Sequence, residues 1–178
     1  PFNITYPLKM YHSKHGPVLK DDNKAYALRF VGMNDVNHST AWLKMNKSKN
    51  IDEWLDALRM EQLASLNLVY ADKDDNIFFV HNAKSPVRDP NYNWKQVVPG
   101  NKSELIWTDF HPFESVPQIL NPSSGYIFST NQNPFFVTAK EDNLSLSNFN
   151  PTMGFQTRTT NRAYRAYELL DADKSISF

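Results

Sequence analysis

The chain has 178 residues, of which 40% are hydrophobic and 13% aromatic, so it can bury one sizeable core. Its 19 basic and 19 acidic side chains cancel, which excludes a general electrostatic attraction to nucleic acid or to an anionic membrane. The absence of cysteine excludes disulfide frameworks, cysteine-ligated zinc and thiol nucleophiles, and no apolar run reaches membrane-spanning length. We find no internal repeat and no linker, and we therefore expect residues 1–178 to form a single domain or a fragment of a larger protein.

The first part of the chain predicts a pair of antiparallel strands followed by two helices. Residues 6–18 mix aromatic and β-forming residues around a turn at His15-Gly16-Pro17, and residues 25–31 follow as the strand partner. Residues 39–47 place apolar side chains at helical spacing behind a capping serine. Residues 51–62 have the most regular helical pattern, behind a capping asparagine.

The rest of the chain predicts a hairpin, a long irregular segment and a closing helix. Residues 66–71 and 77–81 flank a polar turn, which is the pattern of a β-hairpin. Residues 84–121 are rich in proline and predict loops and short strands over the surface. Residues 161–171 predict a helix with one apolar face. The elements together predict an α+β fold of mainly antiparallel strands with a few helices.

This sequence contains no complete metal-binding or phosphate-binding motif. Asp72-Lys73-Asp74-Asp75-Asn76 begins like an EF-hand loop, but Ile77 stands where that loop needs glycine and Ala83 where it needs glutamate. A hairpin turn is therefore the better interpretation. The five histidines lack metal-ligand spacing, and no phosphate-binding loop or nucleophile elbow occurs among the five glycines.

Residues 121–134 have the composition that most suggests chemistry. A turn rich in proline and glycine leads into a short run of strand-forming residues, which ends at the amides Asn131, Gln132 and Asn133. A rigidly held amide can donate a hydrogen bond to an oxygen that becomes negative during acyl transfer. The alternative is an asparagine-rich turn with a structural role only.

Short blocks spread over the chain carry a resemblance to a known enzyme family. They are His15-Gly16-Pro17-Val18, Ala25-Tyr26-Ala27-Leu28-Arg29, Trp54, Tyr70-Ala71-Asp72 with Asn76-Ile77, Pro86 with Arg88, Pro99-Gly100, and Asn121-Pro122-Ser123-Ser124-Gly125-Tyr126-Ile127. In this order and at this spacing they resemble the penicillin amidase family of N-terminal nucleophile hydrolases. The resemblance implies an internal fragment of the β subunit, folded as a portion of an αββα sandwich. It also implies a serine nucleophile outside this chain, which begins at Pro1, so the chain alone is expected to be inactive.

The same resemblance implies roles for particular residues. Asn131 matches the family's oxyanion donor, and a displaced register leaves Asn133 as the alternative. Arg162, which opens the closing helix, matches an arginine that positions the oxyanion asparagine or the nucleophile region. Arg158 and Arg165 are the alternatives to Arg162.

A structural calcium, rather than a catalytic cofactor, is the one bound group that the resemblance implies. Asp142 matches a carboxylate ligand of that calcium, and the carbonyl of Pro90 is a second candidate ligand. Calcium takes about six or more oxygen ligands, so the remaining ligands are expected in segments outside this chain. The isolated chain is therefore expected to be free of metal.

The resemblance implies an acylase that removes an acyl chain from a β-lactam nucleus or a homoserine lactone, with antibiotics or quorum signals as substrates. Its partners would be the α subunit, the N-terminal part of the β subunit and a small-molecule amide. It further implies export to the bacterial periplasm or secretion, with which the absence of cysteine agrees. The alternative function is a non-catalytic module whose aromatic, proline-rich residues 94–136 bind carbohydrate or peptide.

Overall fold

The computed structural model describes residues 8–81, 84–173 and 175, which contain three small antiparallel sheets and three α-helices. Pro1, the start of the strand predicted from residue 6, and Ala83 lie outside the described residues. The predicted α+β class, with mainly antiparallel strands and a few helices, is confirmed. Within the described residues, no helix is both long enough and apolar enough to span a lipid bilayer.

The N-terminal sheet has the order β1 (Tyr11–Ser13), β2 (Gly16–Asp21) and β3 (Lys24–Ala27). The prediction that the second strand reaches residue 31 is wrong, because it ends at Ala27. The Leu28 amide still donates to the Pro17 carbonyl at 2.8 Å, but Pro17 has no N–H to donate in return. The ladder therefore stops at this proline.

Helix α1 spans His38–Lys47 and helix α2 spans Ile51–Leu58. The predicted cap of α2 is confirmed, because the Asn50 side chain accepts from the Glu53 amide at 2.9 Å. The predicted end at residue 62 is wrong. Arg59 forms the C-cap, and Glu61 lies in the left-handed region with φ of 52°, which no helix continues through.

The predicted hairpin is confirmed as β4 (Asn67–Ala71) paired with β5 (Ile77–His81). Its turn is closed by the Asp72 carboxylate, which accepts from the amides of Asp74 and Asn76 at 2.9 and 3.0 Å. The carboxylate that begins the EF-hand-like stretch therefore serves the turn. This geometry agrees with the hairpin interpretation.

The long segment after the hairpin contains short strands, as predicted. Strand β6 (Ser85–Pro86) pairs with β7 (Phe110–His111), and β8 (Gln118–Leu120) adds to the free side of β5. The order of the central sheet is therefore β4-β5-β8. Between these strands the chain forms turns and short 3-10 helices.

Strand β5 lies at the centre of the core because both of its faces are covered. Phe78 and Val80 point to a cluster that includes Trp54 of α2, with 5.9 Å between the Trp54 and Phe78 rings. Phe79 points to the opposite face, where it packs with Val137. Phe79, Val80 and Val137 are fully buried. The second cluster fixes the segment that follows residue 121 against the sheet.

The strand predicted after Gly125 is not formed in the described structure. The Phe128 amide donates to the Val137 carbonyl at 2.8 Å, and the Thr138 hydroxyl donates to the Tyr126 carbonyl at 2.8 Å. A side-chain bond therefore stands where a regular ladder would have a second backbone bond. The amides that follow lie in an irregular but anchored loop rather than at the end of a strand.

Helix α3 spans Asn161–Ala172, close to the predicted bounds, and the Thr160 side chain caps it by accepting from the Ala163 amide. Its rings Tyr164 and Tyr167 pack on Phe136, with centroid distances of 5.4 and 5.1 Å. This contact brings the start of α3 next to the amide-rich loop, the irregular segment that carries Asn131, Gln132 and Asn133.

Candidate active site

A cavity of about 280 Å³ opens where β5 ends, beside the amide-rich loop. Its lining residues are His81, Asn131, Gln132, Asn133, Gly154, Phe155, Gln156 and Arg158. The described residues of the lining include amides, an imidazole and a guanidinium but no carboxylate. Such a cavity favours a group that carries or develops negative charge.

Asn131 lines this cavity and is exposed. Among the residues that the structure describes, none pairs with that amide by a hydrogen bond. The backbone of Asn131 has φ of 64°, a left-handed conformation that asparagine tolerates better than most residues. The predicted oxyanion donor is therefore an exposed amide with both N–H groups available.

Gln132 holds the loop that carries Asn131, and the sequence predicted no role for it. Its side chain is 3% exposed and donates to the carbonyls of Phe128 and Phe136 at 3.1 and 2.8 Å. Its carbonyl oxygen accepts from the Thr130 amide. These bonds fix the backbone on both sides of Asn131, which is the preorganisation that an oxyanion donor needs.

Asn133, the alternative donor, is committed to the structure. Its Nδ2 donates to the Thr157 carbonyl at 3.1 Å and to Thr159 Oγ1 at 3.0 Å, and its Oδ1 accepts from the Phe135 amide at 3.0 Å. Both N–H groups of Nδ2 are therefore occupied. The geometry favours Asn131 over Asn133 as the amide that a substrate can reach.

The three candidate arginines are placed differently. Arg162 Nη2 donates to the carbonyl of Thr130 at 2.8 Å, so it supports the residue before Asn131 rather than the Asn131 side chain. Arg158 lines the cavity itself. Arg165 pairs with Glu168 at 3.0 Å on the exposed face of α3. Arg162 fits a positioning role, and Arg158 provides the positive charge nearest to the cavity.

His81 also lines the cavity. The sequence predicted no role for it, because the histidines are not spaced as metal ligands. Its Nδ1 lies within hydrogen-bond distance of Asn67 Oδ1, and Asn67 Nδ2 donates to the Gln132 carbonyl at 3.1 Å. The bond to the Gln132 carbonyl orients the Asn67 amide so that its oxygen faces His81. This oxygen can only accept, and Nδ1 of His81 is therefore the nitrogen that carries the proton. Burial lowers the pKa of His81 from 6.5 to about 4. The imidazole is therefore neutral at pH 7, and Asn67, to which it is bonded, links the hairpin to the loop.

We expect His81 to make the protein sensitive to acid. The unfolded chain takes up a proton as the pH falls below 6.5, whereas folded His81 takes it up only near pH 4. Stability that is fully present above pH 6.5 is therefore lost towards pH 4, by about 3 kcal/mol. The check is the unfolding midpoint of the full-length protein between pH 7.5 and 4.5. The variant His81→Gln should lose less over this range, while His12→Gln on the exposed β1 strand should behave as the wild type. Equal acid sensitivity of His81→Gln and wild type would contradict the assignment.

Asp142, the predicted calcium ligand, is bound by the turn that precedes the amide-rich loop. Its carboxylate accepts from the Ser124 amide at 2.7 Å and from the Ser123 hydroxyl at 2.8 Å, and these bonds lower the pKa of Asp142. Pro90 lines a different cavity, with Tyr92 among its neighbours. Within the described ranges, no group of three or more His, Asp or Glu is arranged to hold a metal ion. The calcium site that the sequence predicts at Asp142, completed by other segments, stays a prediction.

Comparisons with known proteins place this chain in a class. A family model described as penicillin amidase matches residues 3–178, and the chain therefore belongs to the penicillin amidase family. Penicillin G acylase of Escherichia coli is 33% identical over 129 residues, which cover 70% of this chain and 15% of that protein. Penicillin acylase 2 proenzyme of Pseudomonas sp. (strain SE83) is 30% identical over 123 residues, which cover 67% of this chain and 16% of that protein.

A solved structure supports the same assignment at the level of the fold. The thermostable penicillin G acylase from Alcaligenes faecalis superposes with a TM-score of 0.62 at 28% identity, over 77% of this chain and 26% of that chain. The resemblance found in the sequence is confirmed, and the α+β elements correspond to a portion of an acylase. The chain spans 15–16% of the length of the curated relatives it matches. The roles of Asn131, Arg162 and Asp142 stay predictions.

Proposed function

We propose that the protein to which this chain belongs is an acylase that hydrolyses the amide bond between an acyl chain and an amine. The observation that carries the proposal is Asn131, which lines the cavity on a loop fixed from both sides and whose side-chain amide has no hydrogen bond to a described residue. Membership of the penicillin amidase family supports an enzyme over the non-catalytic binding module.

In the proposed reaction, a serine from outside this chain attacks the carbonyl carbon of the amide while its own α-amino group takes the hydroxyl proton, which later goes to the leaving amine. The electron pair of the C=O bond moves to the oxygen, which becomes an oxyanion, and an Asn131 N–H donates to it. The intermediate collapses to an acyl-serine as the amine leaves with a proton, and water then releases the carboxylic acid through a second oxyanion at the same place. Arg162 contributes by holding the Thr130 carbonyl, and hence the loop, in position.

We propose a β-lactam amide or an N-acyl-homoserine lactone as the substrate class. The names of the relatives, which are penicillin acylases, support the β-lactam alternative, and with it an action on antibiotics. Quorum quenching would follow from the lactone alternative. Export to the bacterial periplasm, or secretion, remains part of the proposal, and the absence of cysteine is compatible with an oxidising compartment.

We also propose that the remainder of the acylase, its α subunit and the N-terminal part of its β subunit, completes the active site. The small fraction of the relatives' length that this chain spans supports this partner. The word proenzyme in the name of the Pseudomonas relative supports a precursor that is processed. This chain then supplies the oxyanion donor and part of the substrate cleft.

The test is an assay of the full-length protein against phenylacetyl amides, aliphatic amides, a penicillin and an N-acyl-homoserine lactone. We expect release of the amine and the carboxylic acid from at least one of them, together with a mature subunit that begins with serine. Inhibition by a serine-directed reagent should remove this activity. A correctly folded protein that hydrolyses none of these amides but binds carbohydrate or peptide would overturn the proposal in favour of the binding module.

A further inference from the structure

A larger cavity, of about 630 Å³, lies beside the N-terminal sheet. All of its lining residues precede the amide-rich loop in the sequence. One wall is the consecutive run Ala25, Tyr26, Ala27, Leu28 and Arg29, which is β3 and its continuation. The other wall is built largely from residues 94–107 and is mostly apolar. No Asp or Glu belongs to the lining. The cavity is therefore an apolar trough that runs along one strand.

That strand has a free edge. β3 is the last strand in the order β1-β2-β3, and within the described residues no other strand pairs with its outer side. An edge strand presents unpaired N–H and C=O groups that another extended segment can bind. The outer side of β3, which is four residues long, is therefore free to pair with another extended segment.

Two arginines in the trough lack an acidic partner. The guanidinium groups of Arg29 and Arg88 lie 5.6 and 5.0 Å from the ring of Trp107. Neither pairs with a carboxylate in the described part of the chain, and the Nε atom of each is buried without a hydrogen bond. Both residues are only partly exposed, and a cation in such a place is better stabilised when a negative charge lies beside it, which points to a carboxylate from another segment.

Arg29 is the arginine with the greater unused capacity. Arg88 already donates through Nη1 to two carbonyls, those of Thr152 and Met153, at 3.3 and 3.4 Å. Arg29 has no hydrogen bond to any residue that the structure describes. Its guanidinium can therefore donate hydrogen bonds to both oxygens of a carboxylate.

The rim of the trough carries exposed apolar side chains. Leu19, Leu28 and Val97 line it and are 59%, 49% and 80% exposed. The relatives are more than six times as long as the matched part of this chain, since the alignments cover 15–16% of their length. A chain segment is therefore a better occupant than a free carboxylate.

We propose that an extended apolar segment carrying an Asp or Glu, from the remainder of the same acylase, lies in this trough along the free edge of β3. Its backbone pairs with β3, its apolar side chains cover Leu28 and Val97, and its carboxylate binds Arg29. The inference rests on the proposed function only in taking this chain to be one part of a larger acylase.

A photo-crosslink tests the occupant directly. In the full-length processed protein, Val97→p-benzoylphenylalanine should crosslink on irradiation to a peptide outside residues 1–178 that contains apolar residues and an Asp or Glu. The same substitution at Val36, which is exposed but does not line the trough, should not yield that peptide. A crosslink to a second copy, identified by mixing isotope-labelled and unlabelled protein, would overturn the inference. A crosslink confined to residues 1–178 would also overturn the inference. A crosslink that is lost when phenylacetate is added would overturn it too, because a small carboxylate would then be the occupant.

A charge swap tests the ion pair. Arg29→Glu should lower the yield of the Val97 crosslink to that peptide by about tenfold or more, and changing the crosslinked acid to arginine in the same protein should restore the yield. Arg29→Lys should keep most of the yield. Failure of the swap to restore the crosslink would overturn the pairing. The crosslink is read without an activity assay, so a protein that crosslinks but hydrolyses no amide refutes the proposed function alone. An active protein without the crosslink refutes this inference alone.

Discussion

Replacing Asn131 by alanine is expected to lower kcat for amide hydrolysis by about a hundredfold to a thousandfold, with little change in KM. The amide is unpaired within the described structure, so its donors are available to an oxyanion, which forms only as the reaction proceeds. Removing a hydrogen-bond donor that acts mainly when the oxyanion forms lowers kcat and kcat/KM together. The measurement is steady-state kinetics of the full-length processed protein.

Alanine at this position also has to adopt the left-handed backbone with φ of 64°, which is strained for a residue with a Cβ. Asn131→Gly removes the amide without that strain, so an equal loss of kcat in both variants would assign the loss to the amide. Asn46→Ala, on the exposed face of α1, is the matched control and should keep wild-type kinetics. Full activity of Asn131→Gly would remove the catalytic assignment.

The two registers proposed for the oxyanion donor predict different behaviour. Asn133 Nδ2 is bound to Thr157 and Thr159, so Asn133→Ala should lower the unfolding midpoint because it breaks these bonds. Asn131→Gly should leave the midpoint nearly unchanged. If Asn133→Ala lowered kcat a hundredfold at an unchanged midpoint, Asn133 would be the donor instead.

Breaking the buried ion pair between Asp35 and Lys84 is expected to destabilise the protein by about 3–5 kcal/mol. Lys84 Nζ and Asp35 Oδ1 are 2.7 Å apart, and the two side chains are only 12% and 6% exposed. Asp35→Ala would leave the ammonium group in this buried place without its hydrogen-bonded partner, with the Phe110 ring 4.7 Å away and the Glu61 carboxylate as an acid that still interacts with it. The loss of the direct contact between two buried charges accounts for the size of the expected loss.

The measurement is the unfolding of the full-length protein by heat or denaturant. Asp35→Leu combined with Lys84→Met should recover most of the loss, because neither charge is then left unpaired. The exposed pair Arg165 and Glu168, with side chains 68% and 63% exposed, is the matched control, and Glu168→Ala should cost about 0.5 kcal/mol or less. Strictly additive losses in the Asp35 and Lys84 variants would contradict this account.

Local sequence patterns predicted the elements whose stability is local. Helical spacing and the Asn50 cap located α2, and the polar turn at Asp72 located the hairpin, because each depends on residues a few positions apart. Element ends were less predictable. Strand β3 ended early because of Pro17 in the neighbouring strand, and that pairing depends on the register of the sheet.

The sequence by itself determined the family, the α+β class and the stretch where Asn131 lies, because motif residues and their spacing are properties of the chain alone. Only the tertiary structure decided which asparagine is available, since Asn133 finds its partners at Thr157 and Thr159 and Asn131 finds none in the described residues. It also decided the parts played by Gln132 and His81, which depend on contacts between separate segments. A side chain's freedom to bind a substrate depends on what else it can bind, and those competing partners come together only when the chain has folded.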